Sequence, residues 1–176
     1  MKRADRYGTI FWICSAAVII ILTAVFALSQ QSGDESYKLS KTVLDGVKNA
    51  GLDVFTPEIS LGKENASDGF SFILTGRKWA HIYLYALLGA AEFLWWSMLL
   101  RLKRERLPRR HLWSAALAFA FCLVCACADE AHQFLVLTRD GRPVDVLYDA
   151  LGFSLSIVLT PALIWLEQVI RRRIHK

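Results

Sequence analysis

Charge is scarce in this chain: 21% of its 176 residues are Asp, Glu, Lys or Arg. A disordered segment carries more charge and far less apolar character than that. Proline and glycine are few as well, 4 and 10 residues, which excludes a collagen-like rod. The 4 cysteines, Cys14, Cys122, Cys125 and Cys127, all fall inside apolar runs and none in the polar segments between them. Structural bridges staple exposed loops, so the pattern argues against a disulfide framework and for buried, inert thiols. The 122–127 group also lacks a second ligand pair at zinc spacing. No internal repeat or low-complexity stretch is present.

Apolar residues, by contrast, make up 55% of the chain, and the mean hydropathy is +0.34. About 20 apolar residues at 1.5 Å rise span a hydrocarbon core of roughly 30 Å. Four runs fit: about 9–28, 79–100, 112–128 and 144–166. The expected fold is all-α, a polytopic four-helix transmembrane bundle forming a single membrane domain over 1–176. Lys2, Arg3 and Arg6 precede the first run as in a signal peptide. Its apolar stretch is about twice the length of a typical h-region, so it reads as a retained helix.

The net charge of +5 is concentrated in three short flanks. Met1–Gly8 carries three basic residues and one acid, 101–110 six and one, and 171–176 four and none. The outer loop, 29–78, is net negative. Positive flanks stay inside, so both termini are expected in the cytoplasm of a multi-pass cell-membrane protein. The turn from Asp129 to about Val144 then faces out with that loop. Within the loop, Leu39, Val43, Val47 and Ala50 recur at helical spacing and predict an outer amphipathic helix, stopped at Gly51. Asn65-Ala66-Ser67 fits the glycosylation sequon, a pattern that arises often by chance. The basic flanks meet anionic lipid, and nucleic acid is not an expected partner, because no aromatic-bearing soluble domain accompanies them.

Ionisable residues in or beside the spans carry the most information, since a charge at mid-bilayer costs at least about 2.5–3.5 kcal/mol. With His81 as reference, Tyr85 lies about 40° and Glu92 about 20° around a helix. They form one stripe with Lys78 and small Gly89 at its edges. Glu92 lies roughly 16 Å deeper than His81 by helical rise. Asp129-Glu130-Ala131-His132-Gln133 ends the third span, Arg139-Asp140-Gly141-Arg142-Pro143 makes a turn, and Asp145 and Asp149 open the fourth. Asp129 shares a helical face with His132 and with Gln133. An acid suits a helix start, which covers Asp145 but not Asp149, one turn deeper. The string Asp129-Glu130-Ala131-His132 matches a helicase Walker B box by accident, for no phosphate-binding G-x-x-x-x-G-K-[ST] loop exists. H-E-x-x-H is absent too.

Taken in order, Asp129-Glu130-x-His132-Gln133, Arg139-x-Gly141, Asp145, Asp149 and Gly152 resemble the signature of VanZ-like membrane proteins. Arg77-Lys78-x-Ala80-His81 with Tyr85, Leu88 and Gly89 resembles that family's second block, and Ser29-Gln30 its first. Ile82 departs from the aromatic that often follows the histidine, and the first loop is long. The resemblance implies an association with tolerance to teicoplanin and related lipoglycopeptides in Gram-positive bacteria. It names a phenotype, not a reaction. The same residues then serve one of three roles. They bind or transport a drug, an envelope precursor or a small molecule, through Arg77, Lys78, Tyr85, Glu92, Gln133, Arg139, Asp145 and Asp149. Alternatively they form an enzyme acting on a lipid-linked envelope substrate, with His81, His132, Glu130 and Asp129 as catalytic candidates. The third role is a packing network. No cofactor is expected beyond a divalent cation, with His132, Asp145 and Asp149 as a weak metal site. Expected partners are the bilayer and a lipid-linked cell-wall precursor or glycopeptide.

Overall fold

The structure is a computed structural model that describes residues 3–30, 33–51, 59–61, 72–74, 76–102, 110–135 and 143–174. The helices are α1 (Arg3–Ser29), α2 (Gly33–Asn49), α3 (Gly76–Leu102), α4 (Arg110–Leu135) and α5 (Asp145–Ile174). Between α2 and α3 lies a small hairpin, β1 (Ile59–Leu61) and β2 (Phe72–Leu74), paired antiparallel with Ile59 opposite Leu74. Apart from these two three-residue strands and a few turn residues, the described chain is helical, as expected of an all-α bundle. Strands that short leave no alternation to read in a sequence.

Among the described residues, four helices are long and apolar enough to cross a bilayer: Tyr7–Ser29, Lys78–Leu102, Arg110–Leu135 and Asp145–Ile174. Each covers one of the apolar runs. In hydrocarbon a backbone N–H or C=O has no water to turn to, so a span stays helical until it leaves. For this reason α4 does not turn at Asp129. It continues to Leu135, and the polar string Asp129–Gln133 is helical throughout. Pro161 sits inside α5, where it removes one backbone donor without ending the helix.

The bundle is apolar on its outside. Ile20, Val124 and Val158 are 67%, 68% and 67% exposed, a surface that suits lipid and not water. Lipid tails compete with side chains for apolar contact, so close packing and small residues bring such helices together. Helix α3 is central, with α1, α4 and above all α5 packed on it. Val18, Val25, Tyr85, Leu88, Phe93, Ala118, Cys122, Ala126, Phe153 and Ile157 make the core. Gly89 of α3 lies against the backbone of Phe153, and Gly152 of α5 against that of Ile82. All four thiols are free; Cys14 and Cys122 are buried, Cys125 is half-buried, and Cys127 faces outward.

Helix α1 is held by its aromatic edge. Trp95 Nε1 donates to Ser15 Oγ at 2.8 Å, and the Trp95 ring lies 5.4 Å from that of Phe11. Ser15→Ala and Trp95→Phe are each expected to lower stability by about 0.6 kcal/mol, typical of one interhelical bond in a membrane bundle. Thermal unfolding in detergent should show the double variant little worse than either single one.

Helix α2 carries the predicted amphipathic pattern, with Leu39 and Val43 exposed on one side. Ala50 N–H donates to Gly46 O, and Gly51 takes φ +69°, a left-handed conformation that ends the helix at little steric cost. Asn65, Arg139 and Gly141 lie outside the described residues, as does the side chain of Arg77.

Candidate functional site

Chain direction sets the site. Helices α1 and α4 finish, and α3 and α5 begin, at the same end of the bundle. Their last and first turns therefore bring together polar side chains separated by up to 120 residues of sequence: Ser29, Lys78, His81, Asp129, Glu130, Gln133, Asp145, Tyr148 and Asp149.

Two layers can be distinguished. At the mouth, Lys78 Nζ donates to the Tyr148 hydroxyl at 3.1 Å and lies 3.5 Å from Asp145 Oδ1. It also stands 4.3 Å from the centre of the Tyr148 ring, a cation–π distance. Successive helical turns on α3 and α5 place the next pair deeper. There His81 Nδ1 lies 3.3 Å from Asp149 Oδ1. Asp149 is 0% exposed, and its other carboxylate oxygen, Oδ2, accepts no hydrogen bond from a described residue.

Asp129 approaches this pair from α4. Its Oδ1 accepts from Ser29 Oγ and its Oδ2 from Gln133 Nε2 at 2.9 Å. Gln133 Nε2 also lies 3.4 Å from Ser29 Oγ, closing a buried triangle between α1 and α4. One donor atom each from His81, Asp129 and Asp149 falls within 4.8 Å of the others. A small pocket of about 10 Å³ opens beside them, lined by Lys78, His81, Glu130, Gln133, Asp145 and Tyr148.

Not every candidate enters this site. His132 is half-buried on another face of α4, with its ring 6.4 Å from that of Phe26. It does not line the pocket, so the fold groups His81 and Asp129 with Asp149 where His132 and Asp145 were the expected companions. Glu92 is buried three helical turns below His81 and does not line the pocket either. Tyr85 is fully buried one turn below His81, its hydroxyl without a partner among the described residues. Two participants were not among the expected site residues: Ser29, read only as part of the Ser29-Gln30 block, and Tyr148. Ser29 closes an apolar helix, and its signal is a lone Ser-Gln where the span ends. Tyr148 sits at i+3 from Asp145, one helical face round, a spacing any core tyrosine shares.

Four carboxylates, Asp129, Glu130, Asp145 and Asp149, thus meet one lysine and one histidine. Such a cluster can orient a histidine, hold a proton or a cation, or grip a small polar group.

No curated protein and no solved structure matches the chain. The VanZ/LLP1 family profile matches residues 13–165, which takes in the four spans except the first turns of α1 and the last turns of α5, and every site residue described above. With four helices fit to cross a bilayer and this match over most of its length, the chain is a multi-pass membrane protein that belongs to the VanZ/LLP1 family.

Proposed function

We propose that this protein binds a small anionic group, the phosphate or carboxylate head of an envelope precursor, at the outer face of the cell membrane. Lowered susceptibility to teicoplanin-like lipoglycopeptides follows from that binding. The observation that carries the reading is the polar pocket at one end of the spans, with Lys78 at its mouth. With a volume of about 10 Å³ the pocket has room for about one water molecule, so a head group is held at its mouth, against Lys78, and a whole glycopeptide does not enter it. The opposite end of the bundle carries Arg101, Arg110 and Arg171–Arg173, which by the positive-inside rule belongs in the cytoplasm. Binding is favoured over transport because the pocket lining ends at His81 and does not descend to Glu92. One observation favours a second reading, catalysis on the same lipid-linked substrate. The His81–Asp149 pairing has the form of an acid/base held by a carboxylate.

Orientation is tested by thiol labelling of intact cells, in a variant whose native cysteines are replaced by serine. Asp45→Cys on α2 should react from outside, and Arg172→Cys on α5 only after permeabilisation. Labelling of position 172 in sealed cells overturns the outward pocket.

Binding is tested with a short-chain lipid phosphate added to the protein in nanodiscs, alongside glycopeptide tolerance in a susceptible host. Lys78→Gln should weaken binding about 10- to 100-fold, as the loss of a charge-assisted contact of about 1.5–3 kcal/mol requires. Tolerance should fall with it at unchanged membrane levels. Release of inorganic phosphate that His81→Gln abolishes decides for catalysis. Unchanged binding and tolerance in Lys78→Gln sinks the reading.

A further inference from the structure

We propose that His81, Asp129 and Asp149 bind one divalent first-row transition-metal ion. Their donor atoms come from three different helices, α3, α4 and α5, and all lie within 4.8 Å of one another. Ligands about 2.1 Å from a tetrahedral ion stand about 3.4 Å apart, so closure asks for roughly an ångström of side-chain movement. Asp129 and Asp149 are 0% exposed, and His81 is the basic side chain grouped with them among the described residues. Two buried carboxylates against one imidazole leave a negative excess that a bilayer-embedded protein has to offset with protons or with a cation.

Asp149 points to the cation. It is wholly buried, faces the other two donors, and its Oδ2 accepts no hydrogen bond from a described residue. Asp129 is differently placed: Ser29 and Gln133 each donate to one of its oxygens and fix the plane of its carboxylate. Outer hydrogen bonds of this kind orient metal ligands and are worth 10- to 100-fold in affinity. A nitrogen donor with two carboxylates suits Zn²⁺ or Mn²⁺ better than Ca²⁺ or Mg²⁺, which take oxygen ligands. Three protein ligands leave a coordination position free, and the polar pocket adjoins it. What the ion does there rests on the proposed head-group binding. Its charge would turn an acid-rich pocket into one whose mouth accepts a phosphate.

The test uses the full chain purified in detergent and stripped with chelator. ZnCl₂ or MnCl₂ is then added, and metal is counted by elemental analysis after desalting and titrated by calorimetry. About one ion per chain is expected. His81→Gln and Asp149→Asn should each weaken binding more than 100-fold, and Ser29→Ala 10- to 100-fold. Size-exclusion and circular dichroism establish that each variant is folded. For a variant that does not fold, Co²⁺ bound to the native chain gives the answer. Weak ligand-field bands without a thiolate charge-transfer band are expected, and a strong charge-transfer band, which assigns the ion to cysteine, overturns the site. Absence of saturable binding to the native chain overturns it too, as does binding that His81→Gln and Asp149→Asn leave unchanged. The two proposals fail separately. Metal-free protein that binds lipid phosphate at full strength removes the ion's role and leaves the pocket. One ion per chain with no lipid-phosphate binding keeps the ion and removes the head group.

Discussion

Gly152→Ala is expected to destabilise the protein more than Gly89→Ala or Gly46→Ala. A Cβ at position 152 would fall on the carbonyl oxygen of Ile82, and would stand 3.0 Å from its carbonyl carbon and 3.1 Å from its Cα. Those atoms are backbone of α3, so no rotamer change can clear them, and α5 has to move off α3 as a whole. Overpacking typically costs about 1–3 kcal/mol, and a backbone obstacle places this variant at the upper end. Gly89→Ala should be milder. Its Cβ meets Phe153 O at 2.8 Å and Phe153 Cα at 2.9 Å, and a movable Ser156 hydroxyl at the same spot. Gly46→Ala, on exposed α2 with nothing within 4 Å, should instead gain about 0.5–1 kcal/mol. Fluorescence-detected size exclusion and thermal melts in one detergent would rank the three. A Gly152→Ala protein that melts with the native one would mean that α3 and α5 are not packed this closely. The site depends on that packing, because Lys78 and His81 reach Asp145 and Asp149 across the same interface.

His81→Ala is expected to be strongly destabilising, and a second substitution at Asp149 to restore much of the loss. The mutant strands a fully buried carboxylate whose one ion-pair partner among the described residues is gone. Breaking a buried pair from one side costs about 3–5 kcal/mol, while replacing both members by apolar residues is often close to neutral. His81→Leu with Asp149→Leu should therefore fold nearly as well as the native chain while His81→Ala does not. Tolerance separates structure from function in the same set. A packing network alone lets the folded double variant protect a susceptible host; a working site leaves it folded and inactive. Asp129→Asn is a useful companion, since it keeps an acceptor for Ser29 and loses one for the Gln133 amide. A double variant as unstable as His81→Ala would show that the pair is not what holds these turns together.

Much of the architecture was readable in the residues themselves. A long run without charge, such as 9–28, has one solution in a bilayer, because only a helix satisfies its own backbone there. The same physics placed Lys78, His81, Tyr85 and Glu92 on one stripe, since helical rotation is a local property. It also marked the amphipathic pattern of α2 and its end at Gly51, a residue in left-handed geometry. The resemblance to the family was read from the sequence as well, and the profile match over 13–165 shows that family.

Which of those residues meet was decided only by the tertiary structure. Asp129, His132 and Gln133 are equally good candidates on one helix, and spacing alone cannot say which of them turns towards α5. The rotation of α4 about its own axis is set by the small residues Ala118, Cys122 and Ala126 against the core, and it sends Asp129 and Gln133 inward and His132 towards Phe26. Ser29 joins the site because α1 ends level with Asp129, an alignment that depends on how α1 lies along α3. Burial of Asp149 follows from the close approach at Gly152, which brings His81 over it. Secondary structure in a membrane is dictated by each segment's own backbone hydrogen bonds, and so it is local. Contacts between spans depend on packing summed over whole helices, and no short stretch of sequence contains that sum.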